Sequence, residues 1–204
     1  MKIICIGRNY AAHAAELNNP IPETPLLFMK PDTAVLKDKK PFYHPDFSND
    51  IHHEIEIVLK ICKAGKNIAT EFAHKYYNEV TVGIDFTARD LQSRCKEKGH
   101  PWEIAKAFDN SAVLGEFIPF SEALDENGNI SFSLLKNGNS VQKGISSNML
   151  TGLDALISYA SKFFTLQVGD LIFSGTPEGV GQIKIGDKLE GFIADKKLLE
   201  CEVK

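Results

Sequence analysis

The sequence has two glutamates, Glu54 and Glu56, two positions apart in a stretch of alternating apolar residues. Residues two apart on a β-strand point to the same side, with Cα atoms roughly 6.6 Å apart, so both carboxylates would share one face. Neighbouring anions repel each other, and a cation between them relieves that repulsion. Oxygen ligands favour a hard ion, Mg²⁺, Mn²⁺ or Ca²⁺, over zinc. The pair predicts a metal site, with a solvated strand face as the alternative.

A third carboxylate, Asp85, ends a second apolar run at positions 80–85. Alone, an aspartate at a strand end is more often a turn residue. Together with Glu54 and Glu56 it would complete half of an octahedral coordination sphere and leave three positions for water and a chelating substrate. Asp85 therefore strengthens the metal hypothesis.

His13 and Glu16 lie three residues apart in an alanine-rich segment, 10–17, which we predict to be a helix capped by Asn9. Such spacing puts both side chains on one helical face, where a carboxylate can orient a histidine that acts as a base. The alternative is an exposed ion pair worth about a few tenths of a kcal/mol, and the spacing alone favours that alternative.

A glycine-dense loop at positions 175–181 follows the apolar run 171–174. It lacks the Gly-Lys-Ser/Thr ending of a phosphate-binding loop, which argues against a nucleotide. Its backbone N–H groups and the Thr176 hydroxyl could hold a carboxylate instead. A tight turn with no ligand explains the glycines equally well.

The elements that would carry these residues are mostly strands. We predict one strand over 52–62, with isoleucines and Leu59 on one face and the two glutamates on the other, and a second over 80–85. A capping-box-like start at Thr87 predicts a helix that ends near Gly99. Because strands outnumber helices and do not alternate with them, we expect an α+β fold with a mixed sheet. At 204 residues we expect a single domain over 1–204.

Composition limits the classes of partner that we expect and indicates the cellular compartment. The chain has 23 basic and 27 acidic residues, so nucleic acid and anionic membranes are not expected as main partners. No apolar run approaches the roughly 18 residues of a membrane span. The four cysteines form no CxxC pair, and we expect Cys5, Cys62 and Cys201, which lie in apolar strand-like runs, to be reduced and buried, as in a cytoplasmic protein.

Five segments together resemble the fumarylacetoacetate hydrolase family, in its short acylpyruvase and oxaloacetate decarboxylase-like subgroup. Their order and wide separation make the likeness specific, and it extends over essentially the whole chain. The matching segments are IGRNYAAHAAEL at 6–17, HHEIE at 52–56, GIDFTARDLQ at 83–92, KAFD at 106–109, and GD at 169–170 with GTPEGVG at 175–181. The resemblance implies a mixed β-sandwich roll with a few peripheral helices, and a homodimer.

The resemblance also implies roles for individual residues. Mg²⁺ or Mn²⁺, with Ca²⁺ as a substitute, would be held by the residues that match the family's ligands. A histidine–glutamate dyad on a lid would position a water, a lysine would face the substrate oxygens, and three further residues would line the substrate site. The residues that match the metal ligands are Glu54, Glu56 and Asp85, and the dyad matches His13 and Glu16. The lysine matches Lys106, and the three residues that line the substrate site match Arg89, Gln92 and Thr176.

The implied activity is cleavage of a C–C bond next to a 2-oxo acid. The metal would stabilise the enolate that is left when an acylpyruvate is hydrolysed or oxaloacetate loses CO₂. The alternatives are an isomerase or hydratase of 2-hydroxy-diene-dioate intermediates from aromatic catabolism, and a metal-binding module without catalysis. In each enzymatic case the partner would be a small 2-oxo acid or dicarboxylate.

Overall fold

Strands make up most of the regular structure in the computed structural model, which describes residues 1–17, 19–37 and 40–204. Within those residues, strands β1 to β14 are Ile3–Gly7, Leu26–Lys30, Ile51–His53, Ile55–Ile61, Tyr77–Asp85, Thr87–Ala88, Ala112–Leu114, Ile118–Pro119, Ser131–Lys136, Asn139–Ile145, Leu171–Phe173, Gly181–Gln182, Lys188–Ile193 and Lys196–Glu202. Helices α1 to α4 are Ala11–Glu16, Arg89–Lys98, Glu103–Lys106 and Leu153–Phe163.

The largest sheet has the order β2-β1-β11-β4-β5-β7, and β8 also pairs with β5. Its β1 and β11 run parallel, whereas β4 and β5 form a long antiparallel ladder. A second sheet has the order β10-β9-β13-β14, and a small third sheet joins β12, β3 and β6. The mixed sheets confirm the α+β prediction.

The main core lies where the apolar face of β4 and β5 packs against the second sheet. Ile55, Ile57 and Leu59 from β4 and Val82 from β5 belong to the same buried cluster as Leu134 from β9. The alternation predicted for this stretch is confirmed, because the two glutamates lie on the opposite face. That face is also covered, so β4 is buried on both sides.

Three local predictions are wrong. The strand predicted over 52–62 breaks at Glu54, so that β3 joins the small sheet and β4 joins the large one. Asn9 does not cap α1, because its side chain binds the backbone at Thr151 and Ser174 instead. The capping box at Thr87 does not form either, since Thr87 belongs to β6 and α2 begins after it. In each case a long-range partner replaces a local one.

The cysteines are all free thiols. Cys5 and Cys201 are buried as predicted, and Cys95 is buried too, but the prediction for Cys62 is wrong: it is exposed because β4 ends one residue before it. None of the helices described here has the length and apolar character that crossing a bilayer requires.

Candidate metal and substrate site

Glu54, Glu56 and Asp85 come together on the covered face of the large sheet. In the β4–β5 ladder Ile55 pairs with Ile84, so Asp85 lies opposite Glu54 and diagonal to Glu56. The Asp85 N–H donates to the Glu54 carbonyl at 2.9 Å, which extends the ladder past the strand break. One oxygen from each carboxylate lies within 4.8 Å of the others, and all three residues are buried. The structure therefore brings together the three carboxylates that the sequence predicted as ligands.

Lys106 reaches the same group of carboxylates from α3. Its Nζ lies 2.7 Å from Glu54 Oε2 and 2.8 Å from Asp85 Oδ2, and it donates to Thr87 Oγ1 at 2.6 Å. Burial alone would lower the pKa of this lysine, but Asp85 and Glu54 together raise it. Lys106 is therefore a fixed positive charge at the floor of the cleft.

Lys30 is a second buried lysine at the site, and the sequence reasoning missed it. Its Nζ lies 2.7 Å from Asp85 Oδ1 and donates to Ser111 Oγ at 2.9 Å and to the Lys106 carbonyl. The signal for it was weak, because Lys30 ends a short apolar strand and resembles the exposed start of a turn. Its side chain is fully buried, and it ties α3 to the strands that carry the acids.

Arg89 and Gln92 lie on one face of α2 at i, i+3 spacing. Arg89 Nη2 pairs with Glu54 Oε1, and Arg89 Nη1 donates to Gln92 Oε1 at 2.7 Å. Burial acts to raise the pKa of Glu54, but Lys106 and Arg89 outweigh it and hold that pKa well below its usual range. Glu54 is therefore ionised, with a cation on each of its oxygens.

Glu56 differs from its two neighbours because no cationic side chain among the described residues pairs with it. Its Oε2 accepts the Gly175 N–H at 2.7 Å. Burial raises its pKa well above the usual range, and the charges of Asp85 and Glu54 add to the effect. A buried carboxylate next to two others is poorly compensated by one backbone hydrogen bond.

The donor set fits the implied divalent metal. Three carboxylates offer only oxygen ligands, which suits Mg²⁺ or Mn²⁺. Each carboxylate has about four lone-pair directions, so the ion pairs described above leave further acceptor capacity. The uncompensated charge of Glu56 is what an added cation would neutralise.

The His13–Glu16 dyad closes over these carboxylates from α1. His13 Nδ1 lies 3.2 Å from Glu16 Oε2, and the Gly179 N–H donates to Glu16 Oε1 at 2.9 Å. Glu16 thus ties α1 to the glycine-dense loop, and the His13 side chain is buried against the cleft. The space left in the cleft is about 30 Å³, which is room for about two water molecules.

Thr176 lines the cleft, and its hydroxyl is held in a network centred on Gln142 of β10. The hydroxyl donates to the Ile55 carbonyl at 2.8 Å and accepts from Gln142 Nε2 at 2.9 Å. Gln142 Oε1 accepts from the Ile55 N–H and from His53 Nδ1. Sequence reasoning missed Gln142, because nothing local marks one glutamine in a hairpin strand as buried.

The comparisons with known proteins agree with this arrangement. Residues 2–204 match the family model described as fumarylacetoacetate (FAA) hydrolase C-terminal. The chain is 41% identical over 188 residues to oxaloacetate tautomerase YcgM of Escherichia coli (strain K12), covering 92% of this chain and 86% of that protein. It is 38% identical over 202 residues to the mitochondrial oxaloacetate tautomerase FAHD1 of Mus musculus, covering 99% and 91%.

A solved structure of a related enzyme is also similar to this chain over its whole length. Fumarylpyruvate hydrolase from Pseudomonas aeruginosa, in complex with Mn²⁺ and pyruvate, superposes with a TM-score of 0.92 at 38% identity and covers 100% of this chain and 89% of that one. The chain belongs to the fumarylacetoacetate hydrolase family. The predicted family, its fold and the prediction that the chain is an enzyme are thereby confirmed.

Proposed function

We propose that this chain is a divalent-metal-dependent enzyme that interconverts the enol and keto forms of oxaloacetate, or of a close 2-oxo dicarboxylic acid, through the enolate. The observation that carries the proposal is the buried cluster of Glu54, Glu56 and Asp85, whose oxygens lie within 4.8 Å of one another. The identity to proteins named oxaloacetate tautomerase supports this substrate.

Glu54, Glu56 and Asp85 would hold the metal, for which we propose Mg²⁺ or Mn²⁺. Bound there, the ion would act as a Lewis acid on the oxygens of a 2-oxo acid. The Mn²⁺ in the fumarylpyruvate hydrolase structure supports an ion of this kind in the family.

The polar side chains around the carboxylates would orient the substrate. Lys106 would place its positive charge next to the oxygen that gains charge in the enolate. Arg89, Gln92 and Thr176 line the same cleft and would fix the carboxylate next to the reacting carbonyl. The supporting observation is that hydrogen bonds within the site hold these three side chains at the cleft.

His13 would move the proton. In going from enol to keto the substrate gives its O–H proton to water and gains one at C3, and in the reverse reaction water returns a proton to the oxygen while a base removes the one at C3. Glu16 accepts at the Nδ1 side of His13, which leaves the Nε2 lone pair to take the C3 proton and return it. The Gly179 N–H keeps Glu16 in place for this task.

The test follows enol oxaloacetate by its ultraviolet absorbance in the presence of Mg²⁺, with pyruvate measured in the same sample. We expect the enzyme to speed the decay of the enol while total oxaloacetate stays constant, and a chelator to return the rate to background. Decay of the enol at the background rate with the metal present would overturn the proposal.

Cleavage of a C–C bond is the second candidate, and the dyad favours it. A water held by His13 and Glu16 could add to the acyl carbonyl of an acylpyruvate. The C–C bond would then break, its electron pair would remain on the pyruvate enolate, and a proton would complete pyruvate. The fumarylpyruvate hydrolase structure supports this interpretation, because it contains pyruvate. Release of pyruvate and acid in equal amounts would identify this activity.

We also propose that two copies of the chain associate. The resemblance implied a homodimer, and an apolar patch of Phe47, Leu91, Ile104 and Phe108 supports one. Ile104 is 63% exposed and Phe47 is 51% exposed, and a contiguous exposed apolar patch of this kind marks a protein–protein contact. Light scattering after gel filtration should give twice the chain mass, and Ile104→Glu should give the single-chain mass.

We also propose a single-domain organisation and a cytoplasmic location. Residues 1–204 would act as one catalytic domain, which the family match over 2–204 supports. The chain would work in the cytoplasm, which the four free cysteines support. Fractionation of cells that express the native gene would test the compartment.

A further inference from the structure

Two cationic side chains, Arg8 and Lys96, line the cleft in addition to those that contact the acids. In the part of the chain that the structure describes, neither forms an ion pair with a carboxylate. Lys106, Lys30 and Arg89 differ in this respect, because each is paired with an acid of the candidate metal site. Arg8 and Lys96 are therefore not needed to balance charge inside the protein.

Arg8 is held toward the cleft by an unusual backbone conformation. It directly follows β1 and has φ of 59°, in the left-handed region that few non-glycine residues occupy. The next residue, Asn9, is fixed by hydrogen bonds to the backbone at Thr151 and Ser174. Such a conformation costs about 1–3 kcal/mol and persists where the surroundings impose it, as at ligand sites.

Lys96 approaches the same cleft from α2, two turns after Arg89. Its Nζ lies 5.8 Å from the centre of the Trp102 ring, and that ring also lines the cleft. Burial, together with the positive charges of Arg8 and Arg89, lowers the pKa of Lys96 to about 8. The lysine thus lies in a region with an excess of positive charge.

The charge balance favours a ligand with two negative charges. Glu54, Glu56 and Asp85 are matched in number by Lys30, Arg89 and Lys106. A divalent ion at the acids, together with Arg8 and Lys96, leaves a clear positive excess. One carboxylate next to the reacting carbonyl does not neutralise it, whereas a dicarboxylate brings a second anion.

We propose that Arg8 and Lys96 bind the second carboxylate of the substrate, the one remote from the 2-oxo group, and so select dicarboxylic over monocarboxylic 2-oxo acids. This inference rests on the proposed function, since it assigns a substrate feature to the same cleft. Arg8 supplies a planar pair of donors, and Lys96 supplies a point charge held against Trp102.

The test compares oxaloacetate with its 4-methyl ester, in which the remote carboxylate has no charge. Lys96→Met removes one charge, and Arg8→Asn removes the other with a residue that tolerates the left-handed region. Lys98→Met is the matched control, because Lys98 is exposed on the same helix. Each variant is assayed with Mn²⁺ for kcat/KM and, by calorimetry, for the affinity of both compounds.

We expect wild type to prefer oxaloacetate to the ester, and each variant to lose about tenfold to about hundredfold in kcat/KM and affinity for oxaloacetate. In the same variants, kcat/KM and affinity for the 4-methyl ester should change by less than about threefold. Lys98→Met should match wild type with both compounds. An equal loss for both compounds, or no loss for oxaloacetate, would overturn the assignment. If wild type turns over neither compound, the proposed function fails. The calorimetric affinities then test the carboxylate site alone: a loss for oxaloacetate but not for the ester supports it, and an equal loss or no loss overturns it.

Discussion

The two glutamates that look equivalent in the sequence have different surroundings in the structure. Glu54 is bound by Lys106 and Arg89, whereas Glu56 accepts the Gly175 N–H and has no cationic partner among the described residues. Burial, Asp85 and Glu54 raise the pKa of Glu56. The metal-free protein should therefore lose stability as the pH rises through the range where Glu56 ionises, because its folded-state pKa lies above the unfolded one.

Glu56→Gln should accordingly raise the melting temperature of the metal-free protein at neutral pH and abolish Mn²⁺ binding. Glu54→Gln should also abolish binding, but it should destabilise the metal-free protein by about 3–5 kcal/mol, because it breaks a buried ion pair. Thermal scans and calorimetric Mn²⁺ titrations of both variants check this. Equal destabilisation by the two substitutions would contradict the charge assignment.

Lys96 gives a pH prediction. Its pKa of about 8 means that the free enzyme loses this charge as the pH rises past 8. KM for oxaloacetate should then rise above pH 8 in wild type but not in Lys96→Met, and KM for the 4-methyl ester should stay flat in both. A wild-type rise that persists in Lys96→Met would assign the titration to another group. The charged groups around Lys96 are Arg8, Arg89, Glu54 and Lys106.

Gln142 connects the second sheet to both edges of the site. It bonds with His53 and Ile55 on either side of Glu54, and with Thr176 and Pro177 of the glycine-dense loop. Both its amide oxygen and its amide nitrogen are used, so one side chain sets the distance between the metal-binding strand and the substrate loop. His53 must donate from Nδ1 here, because the glutamine oxygen also accepts the Ile55 N–H.

Gln142→Ala should lower the free energy of unfolding by about 2–4 kcal/mol, because it leaves several buried polar groups without partners. It should also weaken Mn²⁺ binding, since Glu54 would lose its fixed neighbour Ile55. Urea denaturation and metal titration measure the two effects. The matched control is Gln182→Ala, which removes an exposed glutamine from β12 and should leave Mn²⁺ affinity unchanged. A loss below about 1 kcal/mol in Gln142→Ala would contradict the bridging role.

The elements also show what the sequence could predict. Alternation correctly assigned Glu54 and Glu56 to one face and the isoleucines of β4 to the other, because a two-residue period is local. The Asn137-Gly138 hairpin and the end of α2 at Gly99 were predictable for the same reason, since both need positive φ. The strand break at Glu54 and the role of Asn9 were not, because each depends on residues more than thirty positions away.

The site is covered by α1. The helix has six residues, too few to be stable without packing, and Glu16 docks it onto Gly179. The cleft beneath α1 has room for about two water molecules, so we expect α1 to move when a dicarboxylic acid binds. Among the residues of the site, His13 and Glu16 were predictable from the family motif, whereas their docking partner was not.

Hydrogen exchange should report this motion. Amides of α1 should exchange faster than those of β4 in the free protein, because few contacts hold the helix. Adding Mg²⁺ and oxalate, a small mimic of the pyruvate enolate, should slow exchange in α1 and leave α4 unchanged. Slow exchange in α1 with and without the ligand would mean that the helix is a fixed wall of the site.

We propose that enolate chemistry in this chain depends on one divalent ion bound at Glu54, Glu56 and Asp85. The direct measurement is a Mn²⁺ titration of chelator-treated protein in which calorimetric binding and the rate of oxaloacetate enol decay are recorded on the same samples. We expect one tight site per chain, a rate that rises in proportion to the occupancy of that site, and neither Mn²⁺ binding nor accelerated enol decay in Asp85→Asn. Full activity in the chelator-treated protein, or in Asp85→Asn, would contradict it.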